Sequence, residues 1–179
     1  NLMRLAKMNG LDVEMYQTTV LPRLLEQITN CKDKIAQEYL MDCMVQVFPD
    51  SFHLATLEDF LQTCTQLKPE VDVADIIKNL MRRLSRDGDS TSRIPSDINA
   101  FQIFTDFVHR IITEKSSTNL TTILGLQLAL EQFALKNYPG RLDYVDNVLS
   151  FCAQFLEKAV GGRDRVDAAS SALVLELLS

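Results

Sequence analysis

Pro49, Pro95 and Pro139 stand at intervals of 46 and 44 residues, each where one run of helically spaced apolar residues has ended and another is about to begin. A proline has no amide hydrogen to donate and cannot sit deep inside a helix, so three at one phase mark three equivalent turns. The segments "TLEDFLQTC" (56–64) and "YVDNVLSFC" (144–152) share an order of apolar, acidic and polar residues that closes on Cys, and lie 88 residues apart, close to two periods. A period of about 40 to 47 residues built from helix pairs is the signature of HEAT-like arrays, in which each hairpin buries its apolar stripe on its neighbours.

The stripes recur at steps of three and four almost throughout. Ile35, Tyr39, Leu40, Cys43, Met44 and Val47 form one, with Lys34, Gln37, Glu38, Asp42 and Gln46 as its wet face. Others run through Leu54, Leu57, Leu61, Cys64 and Leu67; through Val73, Ile76, Ile77, Leu80 and Leu84; and through Phe101, Phe104, Val108, Ile111 and Ile112. Further stripes occupy Leu120 to Leu135 and Val145, Val148, Leu149, Cys152, Phe155 and Ala159. With a helix over about 13 to 29 and incomplete ones at each end, the expected fold is all-α. It is a HEAT-like helical-repeat α-solenoid of about nine antiparallel helices, forming one segment of about four helix pairs over 1–179. Asp50 or Ser51, Asp72, Ser96 and Asn119 are placed to cap helix starts. Gly161-Gly162 is placed to stop the eighth helix. Pro22 predicts a kink or restart, and the polar stretch at about 86–96, with Gly88, predicts a mobile surface loop.

Composition excludes several functions. A net charge of -6 argues against a nucleic-acid groove and disfavours a broad anionic-lipid surface, both of which need Lys and Arg gathered on one face. No apolar run approaches the about 20 residues needed to cross a bilayer, and no charged-then-apolar leader opens the chain. Four cysteines, at 31, 43, 64 and 152, show no CxxC pairing, which suits a reducing cytosol. Asn119-Leu120-Thr121 fits a glycosylation acceptor, but Asn119 serves equally as a helix cap.

The stretch "CMVQVFPDSFHLATLEDFLQTC" (43–64) gathers Cys43, His53 and Cys64, yet their spacings of ten and eleven residues do not suit zinc, whose ligands come in close pairs. Packing is the expected role of both cysteines, with surface or capping contacts for His53, and no metal or cofactor is implied. There is no Gly-rich phosphate loop, GxSxG or HExxH, so no enzyme constellation is legible and the chain is read as non-catalytic. Glu58 with Asp59, and Asp143 with Asp146, stand at helix starts, where carboxylates complement the helix dipole. In "MRRLSRDG", Arg82, Arg83 and Arg86 are the candidate protein-interaction residues, for an acidic partner segment or as the recognition context of a phosphorylatable Ser85. The competing role is that of cations at a helix C-terminus.

The blocks "NLMRLAKMNGLDVEMY", "LLEQITNCKDKIAQEYLMDCMVQVFPDSFHLATLEDFL", "YPGRLDYVDNVL" and "ASSALVLELL" resemble the family of the long α-solenoid subunit of retromer, vacuolar protein sorting-associated protein 35. The resemblance runs nearly end to end and is weakest around 86–97 and in "ITEKSSTNLTT". It implies a middle piece of a helical-repeat scaffold whose full-length chain holds an arrestin-like and a metallophosphoesterase-like subunit. Sorting nexins and cargo tails are further partners it implies, with location in the cytoplasm, on the cytosolic face of endosomes. Membrane contact would be indirect. The family's N-terminal Pro-Arg-Leu-Tyr-Pro motif is absent; "LPRLL" at 21–25 shares letters with it inside a helical pattern and is not carried over. The alternative is a helical-repeat adaptor of another trafficking or tethering complex. Truncation at both ends would bare apolar residues around Leu2, Leu5, Leu173, Val174, Leu177 and Leu178, and such patches invite self-association.

Overall fold

The computed structural model describes residues 12–86, 94–114, 119–161 and 168–178; of residues 158–161 and 168 it describes the backbone alone. Every regular element among them is helical. A single turn, Val13–Met15, and a π-helical turn, Tyr16–Val20, lead into α1 (Leu21–Asn30). Then follow α2 (Lys34–Val47), α3 (Asp50–Ala55), α4 (Leu57–Cys64), α5 (Val73–Leu84), α6 (Ala100–Glu114), α7 (Leu120–Asn137), α8 (Leu142–Gly161) and α9 (Ala168–Leu177). The fold is all-α, of the helical-repeat class. Leu2 and Leu5, and Gly88 with most of the expected 86–96 loop, lie outside the described residues.

The breaks follow local chemistry. Pro22 sits in the first turn of α1, where its missing amide costs nothing. The turn before it widens so that Leu21 N–H reaches back five residues to the Tyr16 carbonyl, the restart that Pro22 predicts. Pro49 separates α2 from α3, Pro95 precedes α6, and Pro139 separates α7 from α8, so the proline phase marks helix boundaries. Asp72 caps α5 by accepting from Asp75 N (3.0 Å), and Asn119 caps α7 by accepting from Thr122 N (2.7 Å). Ser96 does not cap: α6 starts later, and Asn99 accepts from Gln102 N instead. Neither Asp50 nor Ser51 caps α3, whose N-cap is Pro49. The helix read across 54–67 is two pieces broken at Thr56, whose hydroxyl turns back to the Phe52 carbonyl.

The chain divides into two compact units, through Ile103 and from Phe104 onward, with α6 beginning in the first. In the first, α2 packs against α1 and α5, while α4 packs against α1 and α3. Tyr16 lies fully buried between Phe48 and Phe52, ring centroids 4.6 and 4.8 Å away. In the second, α7 packs against α8 and α9, and Phe133 meets Phe104 of α6 edge to face. Near the end of α9, Leu177 is buried, Leu173 and Val174 are half-buried, and Leu178 is exposed.

One face was misassigned from the sequence. On α2 the buried residues are Gln37, Met41, Met44 and Val45, whereas Ile35 and Tyr39 are 72% and 67% exposed and Cys43 is half-buried. The helix is rolled so that polar groups read as wet face their neighbours. Gln37 donates to the Ile28 and Cys31 carbonyls (both 3.0 Å) at the end of α1, and accepts from Lys68 N (3.1 Å). Of these, the Ile28 carbonyl also accepts from Cys31 N (3.1 Å), and completing the bonding of this helix end outweighs exposing an isoleucine and a tyrosine.

Gln127 in α7 is as deeply buried as Gln37, 0% against 1% exposed, but neither of its amide atoms has a hydrogen-bond partner among the described residues. Replacing each by leucine should give effects of opposite sign. Gln37→Leu takes a hydrogen bond from each of three backbone groups, of which the Ile28 carbonyl keeps the Cys31 amide, and should cost roughly 1 to 3 kcal/mol. Gln127→Leu removes an uncompensated amide and should stabilise by about 1 kcal/mol. Denaturant midpoints of the two variants check this, and a loss on Gln127→Leu would contradict it.

Candidate functional site

The polar contacts between α2 and α5 climb both helices in one direction, so the two run parallel, as equivalent helices of successive repeats do. Asp72 N–H donates to Glu38 Oε1 (3.1 Å), and Asn79 Nδ2 donates to Asp42 Oδ1 (3.4 Å). The top of the seam is Arg83. Its Nε donates to Asp50 Oδ1 (2.8 Å), while its terminal nitrogens donate to the carbonyls of Val45 and of Phe48 (2.7 Å for the latter). Each of the three guanidinium nitrogens thus donates inside the chain, joining the last turn of α5 to the end of α2 and the start of α3.

The three sequence-selected arginines therefore part company. Arg83 is mostly buried, with 21% of its side chain exposed. Arg82 is exposed and donates to Asn79 of its own helix (3.0 Å), and Arg86 is exposed beyond the end of α5. Arg82 and Arg83 both occupy the last turn of α5, where cations interact favourably with the helix dipole. Ser85 is half-buried, its hydroxyl donating to the Met81 carbonyl.

His53 lies against the same joint. It is 1% exposed, in place of the surface position expected of it, and meets Phe60 edge to face with centroids 6.3 Å apart. Burial first and the Arg83 charge second push its pKa down to about 4, against the pull of Asp50 and of the Val45 and Phe48 carbonyls. The imidazole is neutral at neutral pH, and its Nε2 has no hydrogen-bond partner among the described residues. Cys64 is buried, and burial raises its thiol pKa, so it is poorly disposed to act as a nucleophile. Cys152, its counterpart two periods on, is buried too and pushed up to about 11 by burial and by nearby Glu131. Cys43 and Cys31 are half-buried free thiols.

Of the carboxylate pairs, Glu58 and Asp59 stand in the first turn of α4, where the helix dipole favours them, whereas only Asp143 of the other pair stands in the first turn of α8, with Asp146 beyond it. Asp143 is gripped by both Nε and Nη2 of Arg141 (2.9 and 2.7 Å), which lowers its pKa. Among the described residues no group of three or more His, Cys, Asp or Glu side chains is placed to hold a metal ion. No described helix is long and apolar enough to cross a membrane. What the arrangement can do is mechanical: it fixes the register of neighbouring repeats. The sequence reading missed Gln37, Asp42 and Asp50 as members of this seam. Their signal was faint, a polar set beside Met41, Met44 and Val45 that makes a second consistent helix face.

Residues 1–179 match the family described as vacuolar protein sorting-associated protein 35. The chain belongs to that family. A relative of that name from Dictyostelium discoideum is 46% identical over 157 residues, 87% of this chain and 20% of the relative. Vacuolar protein sorting-associated protein 35B of Arabidopsis thaliana is 44% identical over 155 residues, 85% of this chain and 20% of its own length. A Schizosaccharomyces pombe relative of the same family name is 27% identical over 189 residues, covering 84% of this chain and 22% of the relative. The chain thus spans about one-fifth of the length of these curated relatives.

For this family segment the seam predicts a sharp ranking. Arg83→Met leaves two carbonyls and Asp50 without their partner and should cost about 2 to 3 kcal/mol. Arg82→Ala and Arg86→Ala should stay within about 0.5 kcal/mol of the parent. Equal effects of all three in urea unfolding would contradict the clamp.

His53 predicts a pH dependence. Its folded pKa of about 4 lies below the ordinary 6.5, so between those values the unfolded chain binds more protons and stability rises with pH. The contribution is fully present above pH 6.5 and is lost as pH falls toward 4, amounting to about 3 kcal/mol over the window. Unfolding free energies of the parent and of His53→Phe, measured from pH 7 to pH 4, should diverge by that amount, and parallel curves would remove His53 from the account.

Proposed function

We propose that this chain is a non-catalytic scaffold segment of the retromer endosomal sorting coat, four helix pairs of a longer α-solenoid that supports retrieval of transmembrane cargo from endosomes. The observation that carries the reading is the α2–α5 seam, a directional set of bonds whose effect is to hold one repeat at a fixed setting against the next. Membership of the vacuolar protein sorting-associated protein 35 family supports the assignment to protein sorting. In this reading the arrestin-like and metallophosphoesterase-like subunits bind the full-length chain. Sorting nexins and cargo tails engage the assembled coat, which works in the cytoplasm on the endosomal surface and meets the membrane indirectly. The role of this segment is to set spacing between partners held elsewhere.

The full-length parent carrying Arg83→Met tests the division of labour. It should co-purify with both retromer subunits at the parent's stoichiometry while retrieval of a transmembrane cargo receptor in cells falls several-fold. A full-length parent that captures neither subunit would move the chain to another trafficking or tethering complex.

A further inference from the structure

We propose that the groove between α1 and α4 is a docking site for a basic, amphipathic segment of a partner protein. The inference is independent of which sorting assembly the chain serves. The two helices leave a cleft of about 440 Å³, within the roughly 300 to 1,000 Å³ typical of ligand pockets. That volume takes a few side chains of a peptide, and a whole helix would not fit.

The lining divides almost evenly between apolar and polar surface, and Pro22, Gln62 and Gln66 take part in it beside the residues that follow. Leu21 and Leu25 form an apolar floor with the buried Thr63. Thr63 Oγ1 donates to the Asp59 carbonyl of its own helix (3.0 Å), and Thr29 Oγ1 donates to the Leu25 carbonyl (3.1 Å). Both hydroxyl protons are thus spent within the chain, which leaves these oxygens only the capacity to accept, as a Lys or Arg donor requires. The rims carry Glu26 from α1 and Asp59 from α4, both exposed; neither forms an ion pair among the described residues, and no Lys or Arg lines the cleft.

An apolar floor between two unpaired carboxylates selects its occupant by complementarity. Lys and Arg lay an aliphatic stem on apolar surface and carry the charge to the edge, and a neighbouring leucine or isoleucine fills the remainder. Nucleic acids and anionic lipids are repelled by the same rims.

The test measures fluorescence anisotropy of a short labelled peptide of leucine, lysine and arginine with the full-length parent chain. A peptide with glutamate in place of the cations is the control. Two double variants are compared: Glu26→Lys with Asp59→Lys on the rims, and Asp146→Lys with Glu157→Lys at exposed sites on α8, an equal change of charge. The rim pair should weaken binding roughly tenfold, with the α8 pair and the parent indistinguishable and the glutamate peptide unbound. Helical circular dichroism unchanged in both variants, with a thermal midpoint lowered by only a few degrees where Asp59→Lys sets a cation in the first turn of α4, separates lost docking from lost folding. Equal weakening by both pairs would reduce the effect to general attraction toward an acidic chain and overturn the proposal, as would failure of the basic peptide to bind. Sedimentation that showed self-association abolished by the rim pair would also overturn it, giving the groove to a second copy of the chain.

Discussion

A helix ends with carbonyls that its own backbone has no amides left to meet, and a protein made of short helices must find partners for them many times over. This chain does so by reaching across from the next helix. Gln37 of α2 takes the Ile28 and Cys31 carbonyls at the end of α1, and Arg83 of α5 takes the Val45 and Phe48 carbonyls at the end of α2. Apolar stripes bring helices together with little say about register, because the hydrophobic effect has no direction. The two polar joints supply the direction. A one-residue slip of α5 along α2 would withdraw Arg83 from two carbonyls and from Asp50 at once.

The same need explains which parts of the fold were legible. The proline phase and two of the four expected caps come from local rules, so Pro49, Pro95 and Pro139 marked boundaries and Asp72 and Asn119 announced their helices. Ser96 misled because it has the chemistry of a cap, yet Asn99 stands nearer the first helical residue and does the work. The face of α2 was hidden for a different reason. Counting apolar residues favours burying Ile35, Tyr39 and Cys43, and the partners that Gln37 meets outside its own helix, the Ile28 and Cys31 carbonyls and Lys68 N, reverse that choice. Periodicity holds no record of a carbonyl that needs a donor.

Repetition with variation runs through the core. Cys64 and Cys152, alike in the sequence motif, are alike in burial and in a raised thiol pKa, so the motif is a packing unit. Gln37 and Gln127 share depth but not satisfaction. A buried amide is therefore tolerated in α7 without the bonding that makes its counterpart in α2 a joint. Burial alone does not identify a structural polar residue; the partner list does.

His53 shows why Arg83 rather than a histidine holds the seam. The joint offers two carbonyls and one carboxylate, and Arg83 uses them all with a cation that never loses its proton. A second positive charge on His53 would find those acceptors engaged and the dielectric low, and the imidazole is accordingly kept neutral. Were the roles exchanged, with histidine as the donor to both carbonyls, the register of the repeats would loosen whenever pH passed through the ordinary imidazole range. A permanent guanidinium backed by a neutral ring removes that sensitivity at neutral pH, as a chain whose work is to keep its neighbours at a fixed setting requires.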